Sequence, residues 1–360
     1  MEAKYVRWRQ NYLRSSDQGL YCFYNGKGDN GDAITCSEAH GYAMLIAVLH
    51  RNQQDFDGLL RFFLNFRNKN GLMKWQIRMK NGQTYVEEDG ESSATDGDID
   101  IATSLFQASK LFPQGGPPAY PPGTYFHEAS RLCKSILDHT IHPTLHVPLL
   151  GDWCNQESNE ARRLYDSTRS SDFILSSFLL FHRMHPDPNV RSRWQEVLES
   201  TLQLVLSQPN PSGLIADFYE FDRSSSTWRP ARGKLLESEN DGQMSWNACR
   251  TPWRLAHYYA VTGDRRILPL LERMKSTLQD PRRTDFPKVR AGIRVEDGAA
   301  MVDYSDRSFI APVGYLCHSL GDSQGHRSCV DALNQEEESY FGDSIDLVIA
   351  EQAMAAPYWL

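Results

Sequence analysis

The sequence predicts an all-α fold of about twelve helices in two concentric rings, an α/α barrel. Three observations carry this expectation. Apolar residues recur with helical spacing over most of the 360 residues, and no convincing series of alternating strands interrupts them. The helices are of two kinds, some apolar almost all round and others with one apolar stripe and a charged face. No Pro-, Gly- or Ser-rich linker separates two regions, so a single domain over 1–360 is expected.

In chain order the spacing predicts helices near 3–14, 38–51, 55–67, 99–112, 126–139, 172–184, 190–207, 247–262, 265–278, 307–320, 326–338 and 343–356. Segments 38–51 (Tyr42 to Leu49 without a charge) and 343–356 are apolar on every side, which implies burial all round. Those near 55–67, 190–207 and 265–278 have the one-sided pattern of an outer layer. Two long Gly-, Pro- and Ser-rich stretches, 113–124 (Gly115, Gly116, Pro117, Pro118, Pro121, Pro122) and 208–246, read as loops long enough to be functional.

Composition narrows the function. A formal net charge of −8 argues against nucleic acid and anionic membranes and tolerates a cationic substrate. No apolar run reaches the roughly 18 residues of a membrane span. The start, Met1-Glu2-Ala3-Lys4-Tyr5, is too polar for a signal peptide, so the expectation is either a cytosolic protein or a mature extracellular chain without its leader. Seven scattered cysteines form no CxxC pair, which argues against a metal site.

The chemistry centres on Ala94-Thr95-Asp96-Gly97-Asp98-Ile99-Asp100-Ile101-Ala102. A solvated turn capping the next helix is one reading of its three carboxylates. An EF-hand is excluded, because counting from Asp96 the sixth and twelfth positions hold Ile101 and Gln107 instead of Gly and Glu. A sugar-binding or catalytic carboxylate cluster is the remaining reading. Ser37 and Glu38 open the first all-apolar helix, as N-cap and first-turn acid, and Glu38 is also a candidate general acid. Tyr42 follows on the same helix. Aromatic residues stand beside polar ones at Trp75, Trp153 and Trp246, each a core residue or a platform for a pyranose ring. Arg250 and Arg254 flank Pro252-Trp253 and are placed to orient carboxylates.

Three stretches together resemble glycoside hydrolase family 8: Ser-Glu-Ala-His-Gly-Tyr (37–42), the acidic stretch 94–102, and Asn-Ala-Cys-Arg-Thr-Pro-Trp-Arg (247–254). Lesser echoes are 71–75, 308–312 and 340–344. The resemblance implies an (α/α)6 barrel and inverting hydrolysis of β-linked glucan, xylan or chitosan. It implies that Glu38 is the proton donor and that Asp96 binds the distorted sugar at the cleavage point. Asp98, Tyr42, Trp75, Trp153, Trp246, Asn247 and Arg250 are the expected substrate contacts. Many members have an Asp base where this chain has Asn247. A branch with chitosanases, lichenases and some endoglucanases has Asn there and a Glu base about ten residues upstream. That offset points to Glu237, with Glu239 and Asp241 as alternatives. Inversion needs acid and base roughly 6.5–9.5 Å apart.

The expectation is thus a monomeric endo-acting chitosanase without metal or organic cofactor. A neutral β-glucan is the alternative substrate, and a carbohydrate-binding protein without catalysis is the rival from another class.

Overall fold

A computed structural model describes residues 2–116 and 118–355. It divides into two compact units, one of residues 1–141, 151–153 and 179–195, the other of residues 142–150, 154–178 and 196–360. The described residues are mostly helical, and each of the twelve expected helices has a counterpart, with ends displaced by a few residues. Pro117 and the last position of the expected 343–356 helix lie outside the described residues.

The first unit begins with α1 (Glu2–Tyr12) and the hairpin β1 (Leu13–Ser16) and β2 (Gly19–Cys22). Strand β3 (Ala33–Cys36) runs directly into α2 (Ser37–Leu49), followed by α3 (Gln53–Asn65). Strands β4 (Gln76–Lys80) and β5 (Gln83–Tyr85) complete an antiparallel sheet in the order β3-β4-β5. Helices α4 (Thr95–Leu111) and α5 (Thr124–His139) follow. Helix α2 is buried on nearly every side, as its composition requires, and α4 is buried from Thr95 to Ala108. Helices α3 and α5 bury one stripe each, Phe56, Leu59, Leu60 and Phe63 in α3 and Tyr125, Ala129, Leu132 and Ile136 in α5.

Where α2 meets α4 the backbones touch. A Cβ on Gly97 would lie 2.5 Å from the carbonyl carbon of Ser37, and one on Gly41 would lie 2.9 Å from the Gly97 oxygen. The glycine amid the aspartates therefore serves a helix crossing, not a metal loop.

In the second unit α6 (Asn159–Tyr165) leads to β6 (Ser167–Arg169). Helices α7 (Leu175–Met184) and α8 (Pro188–Leu206) each contribute residues to both units. Strands β7 (Phe218–Asp222) and β8 (Thr227–Pro230) join β6 in an antiparallel sheet of order β6-β7-β8. Helices α9 (Thr251–Thr262), α10 (Leu268–Leu278), α11 (Pro281–Thr284), α12 (Arg307–Ser319), α13 (Ser323–Leu333) and α14 (Tyr340–Ala355) complete the unit. Helix α12 packs against α9, α13 and α14 and is buried from Ser308 to Cys317, whereas α10 and α13 bury a single stripe. Trp253 Nε1 donates to Gln352 Oε1 at 2.7 Å, joining α9 to α14 through a polar pair in the core.

The short strands, α6 and α11 are what periodicity did not predict. Strands of three to five residues, such as Gln83–Tyr85, are too short to show an alternating pattern. The expected 208–246 loop instead contains β7 and β8, joined through Ser224-Ser225-Ser226, a turn signal between two β-rich runs.

Candidate active site

In the first unit, three chain segments place side chains around the start of α2. Strand β3 pairs with β4, with Cys36 opposite Gln76, and the pairing continues as Ser37 N donates to the Trp75 carbonyl at 2.9 Å. Ser37 is thus the first helical residue; Cys36 occupies the N-cap position without a side-chain cap bond. Glu38 follows in the first turn, half-buried, where the helix dipole favours a carboxylate. Trp75 is held beside it, its indole N–H donating to the Asp89 carbonyl at 2.6 Å and its backbone N–H to Ser92. His40 is structural: its ring bonds the Leu59 carbonyl at 3.0 Å, and burial pushes its pKa down to about 4.

The acidic stretch is helical from Thr95, four residues earlier than periodicity predicts. Asp96 and Asp98 therefore sit in the first turn of α4, where low helix propensity is offset by the dipole and by tertiary contacts. Neither Asp98 nor Asp100 caps the helix; Ala94 is the N-cap residue. Asp96 is almost wholly buried, and the Gly97 crossing brings the start of α4 against that of α2.

Two expected substrate contacts are corrected here. Asp98 is completely buried and accepts the Met73 N–H at 2.8 Å; burial holds its pKa well above the ordinary carboxylate range. It is a structural acid that fixes the 71–75 segment. Tyr42 is equally enclosed and offers no ring face to a sugar.

Asp152 is read in the sequence only as the polar neighbour of Trp153. It accepts Asn68 Nδ2, Asn70 Nδ2 and Ser93 N, each at 2.8 Å, and so ties together the segments flanking Trp75 and Asp96. Trp153 follows it, half-buried, and lines a cavity of about 310 Å³ with Asn68, Lys69, Glu88, Glu91 and Asp152.

The second unit assembles the other candidates. Asn247 Nδ2 donates to Glu237 Oε2 at 2.9 Å, and Arg250 Nη2 donates to Asn247 Oδ1 at 3.2 Å. The guanidinium thereby fixes which way the amide points, leaving the NH2 group for the carboxylate. Glu237 keeps part of its surface in solvent while its carboxyl end is crowded by protein. Desolvation raises its pKa above the ordinary value, opposed by Arg169, Asn247 and Arg250 and assisted by Asp241. Trp246 is 40% exposed and packs edge-on against Phe309 at 5.4 Å.

Asp217, just before β7, holds this motif from behind. Its Oδ1 accepts Ser245 N at 2.8 Å and Ala248 N at 2.7 Å, and burial raises its pKa from 3.8 to about 7. A carboxyl raised on folding contributes stability that is complete below its unfolded value near 3.8 and lost as pH rises through about 7. Asp217→Asn keeps one oxygen for both N–H groups and removes the titration. Between pH 5 and pH 8 the variant is expected to gain stability relative to the parent, by roughly 2–3 kcal/mol, because only the part of the titration from pH 5 to about 7 lies in that interval. Urea denaturation at the two pH values measures this, and parallel behaviour of both proteins rules it out.

Among the described residues no group of three or more His, Cys, Asp or Glu is placed to hold a metal ion, and no helix is long and apolar enough to cross a membrane.

A sequence model described as glycosyl hydrolases family 8 matches residues 5–349. A Niallia circulans β-glucanase is 30% identical over 372 aligned residues, covering 100% of this chain and 85% of that protein. Endoglucanase A of Acetivibrio thermocellus is 26% identical, covering 97% and 67% respectively. The apo structure of a β-1,3-1,4-glucanase from Paenibacillus sp. X4 superposes with a TM-score of 0.83 at 29% identity, over 98% of this chain and 90% of that one. The fold class is the (α/α)6 barrel.

Proposed function

The chain belongs to family 8 of the glycosyl hydrolases, and from that premise we propose that it is an endo-acting, inverting β-glucanase whose preferred polymer is a mixed-linkage β-1,3-1,4-glucan. The observation that carries this reading is the end-to-end similarity to two glucanases at 29–30% identity. It favours the neutral-glucan alternative over chitosan, toward which the net charge of −8 had pointed.

In this mechanism the Glu38 carboxyl gives its proton to the glycosidic oxygen. Asp96 binds the sugar distorted at the cleavage point. Glu237 takes a proton from the water that attacks the anomeric carbon from the opposite face. Asn247, with no ionisable group, orients the Glu237 carboxylate instead of serving as the base. Trp75, Trp153 and Trp246 supply ring faces for glucosyl units. The two units serve as one catalytic domain, a reading supported by the family match running through both. A polymeric substrate puts the site of action outside the cell.

Chitosan is the second reading, favoured by Glu88, Glu91 and Asp152 around the Trp153 cavity against the single Lys69. Reducing-sugar release from barley β-glucan, lichenan, carboxymethylcellulose, xylan and chitosan separates the two. Release is expected to be greatest from the mixed-linkage polymers. Release from chitosan with none from any glucan would replace the proposal, and release from none would return the chain to the carbohydrate-binding class.

A further inference from the structure

The segment carrying Glu237 has no regular secondary structure, yet its backbone is tightly bound. Asp241, almost fully buried, gathers four consecutive N–H groups with one carboxylate. Its Oδ2 accepts Leu235 N at 2.9 Å, Leu236 N at 2.8 Å and Glu237 N at 3.0 Å, and its Oδ1 accepts Ser238 N at 2.8 Å and Ser238 Oγ at 3.3 Å. Its own carbonyl accepts Phe218 N at 2.8 Å, which fastens it to β7. The next residue is Gly242, where a Cβ would lie 2.1 Å from the Ala231 oxygen, so the backbone after Asp241 is wedged in place. These contacts leave Asp241 unsuited to be the base, since its two oxygens are committed to backbone donors.

We propose that Asp241 is the positioning residue for Glu237, curling residues 235–238 around its carboxylate so that the Glu237 side chain meets Asn247 in one orientation. This rests on Glu237 being the base. A neutral loop could close by turn bonds alone, but a single ionised acceptor shared by four donors fixes the direction of each peptide plane. Positional error at a reacting group is costly: a displacement of about 1 Å lowers rates by roughly 10²-fold.

The test is a kinetic cycle on the full chain with a mixed-linkage β-glucan. Asp241→Asn keeps the size but cannot accept on both sides. It is expected to lower kcat by about 10–100-fold with KM changed less than about threefold. The acid limb of the kcat/KM profile is expected to move to lower pH, because a negative charge beside Glu237 is removed. Added to Glu237→Gln, the same change is expected to cost little further. Unchanged kcat and acid limb in a folded Asp241→Asn protein would overturn the inference, as would an equal loss in both backgrounds. Full activity of Glu237→Gln alone would instead overturn the assignment of the base. If Asp241→Asn does not fold, Asp241→Glu, which keeps the charge but displaces it by one methylene, is expected to show the same fall in kcat at unchanged KM; parental kcat there would overturn the inference.

Discussion

Glu237→Ala is expected to reduce hydrolysis of mixed-linkage β-glucan toward the upper end of the roughly 10²–10⁴-fold range of general acid–base catalysis, with oligosaccharide binding retained. Removing this carboxylate leaves the attacking water without an acceptor for its proton, since the amide of Asn247 cannot take it up at neutral pH. Of the other side chains acting on Glu237, Asn247, Arg169 and Arg250 are not bases, and Asp241 has both oxygens committed to backbone N–H groups. Azide is expected to restore turnover in the variant, because a small anionic nucleophile needs no deprotonation and fits where the water stood. The raised pKa of Glu237 places the acid limb of the parental kcat/KM profile above the ordinary value of 4.5. Glu239→Ala is expected to change little, since the bond to Asn247 comes from Glu237. A Glu237→Ala enzyme with parental turnover would remove Glu237 from the mechanism.

Glu38→Gln is expected to lower kcat on the polymer by about 10²–10⁴-fold, because an isosteric amide cannot protonate the departing oxygen. Stability is expected to change by only about 0.3–1 kcal/mol, the worth of a first-turn carboxylate against the helix dipole. Aryl cello-oligosaccharides carrying a nitrophenol are expected to lose far less, since such a leaving group departs without a proton. Equal losses on both substrate types would point to a binding defect instead of a missing acid.

The sequence disclosed the helices because each buries its own stripe or surface, and that pattern is local. From composition alone, helices α2 and α14 read as buried all round and α3 and α10 as one-sided. What stayed hidden depends on partners distant in sequence. Asp98 looked like a sugar ligand because its type and spacing matched a carboxylate cluster, but its burial against Met73 is set by a contact 25 residues away. Tyr42 reads as a substrate contact in the sequence, but it is completely buried in its helix. The start of α4 was placed too late because Asp-Gly-Asp is a poor helix sequence, and the backbone crossing at Gly97 is invisible in one dimension. Asp152 and Asp217 carry no motif of their own; each is defined by the N–H groups it collects from segments 28 to 84 residues away. The ten-residue offset from Asn247 to Glu237, in contrast, was legible and corresponds to a hydrogen bond of 2.9 Å.

The central claim, a direct displacement by water with Glu38 as acid and Glu237 as base, is tested most directly by the anomeric form of the first products. Proton NMR during the first minutes of β-glucan hydrolysis, before mutarotation, resolves the new reducing end. Single displacement at a β-linkage predicts the α-anomer in excess, decaying to the equilibrium mixture. An initial excess of the β-anomer would show a double displacement through a glycosyl-enzyme and contradict the account.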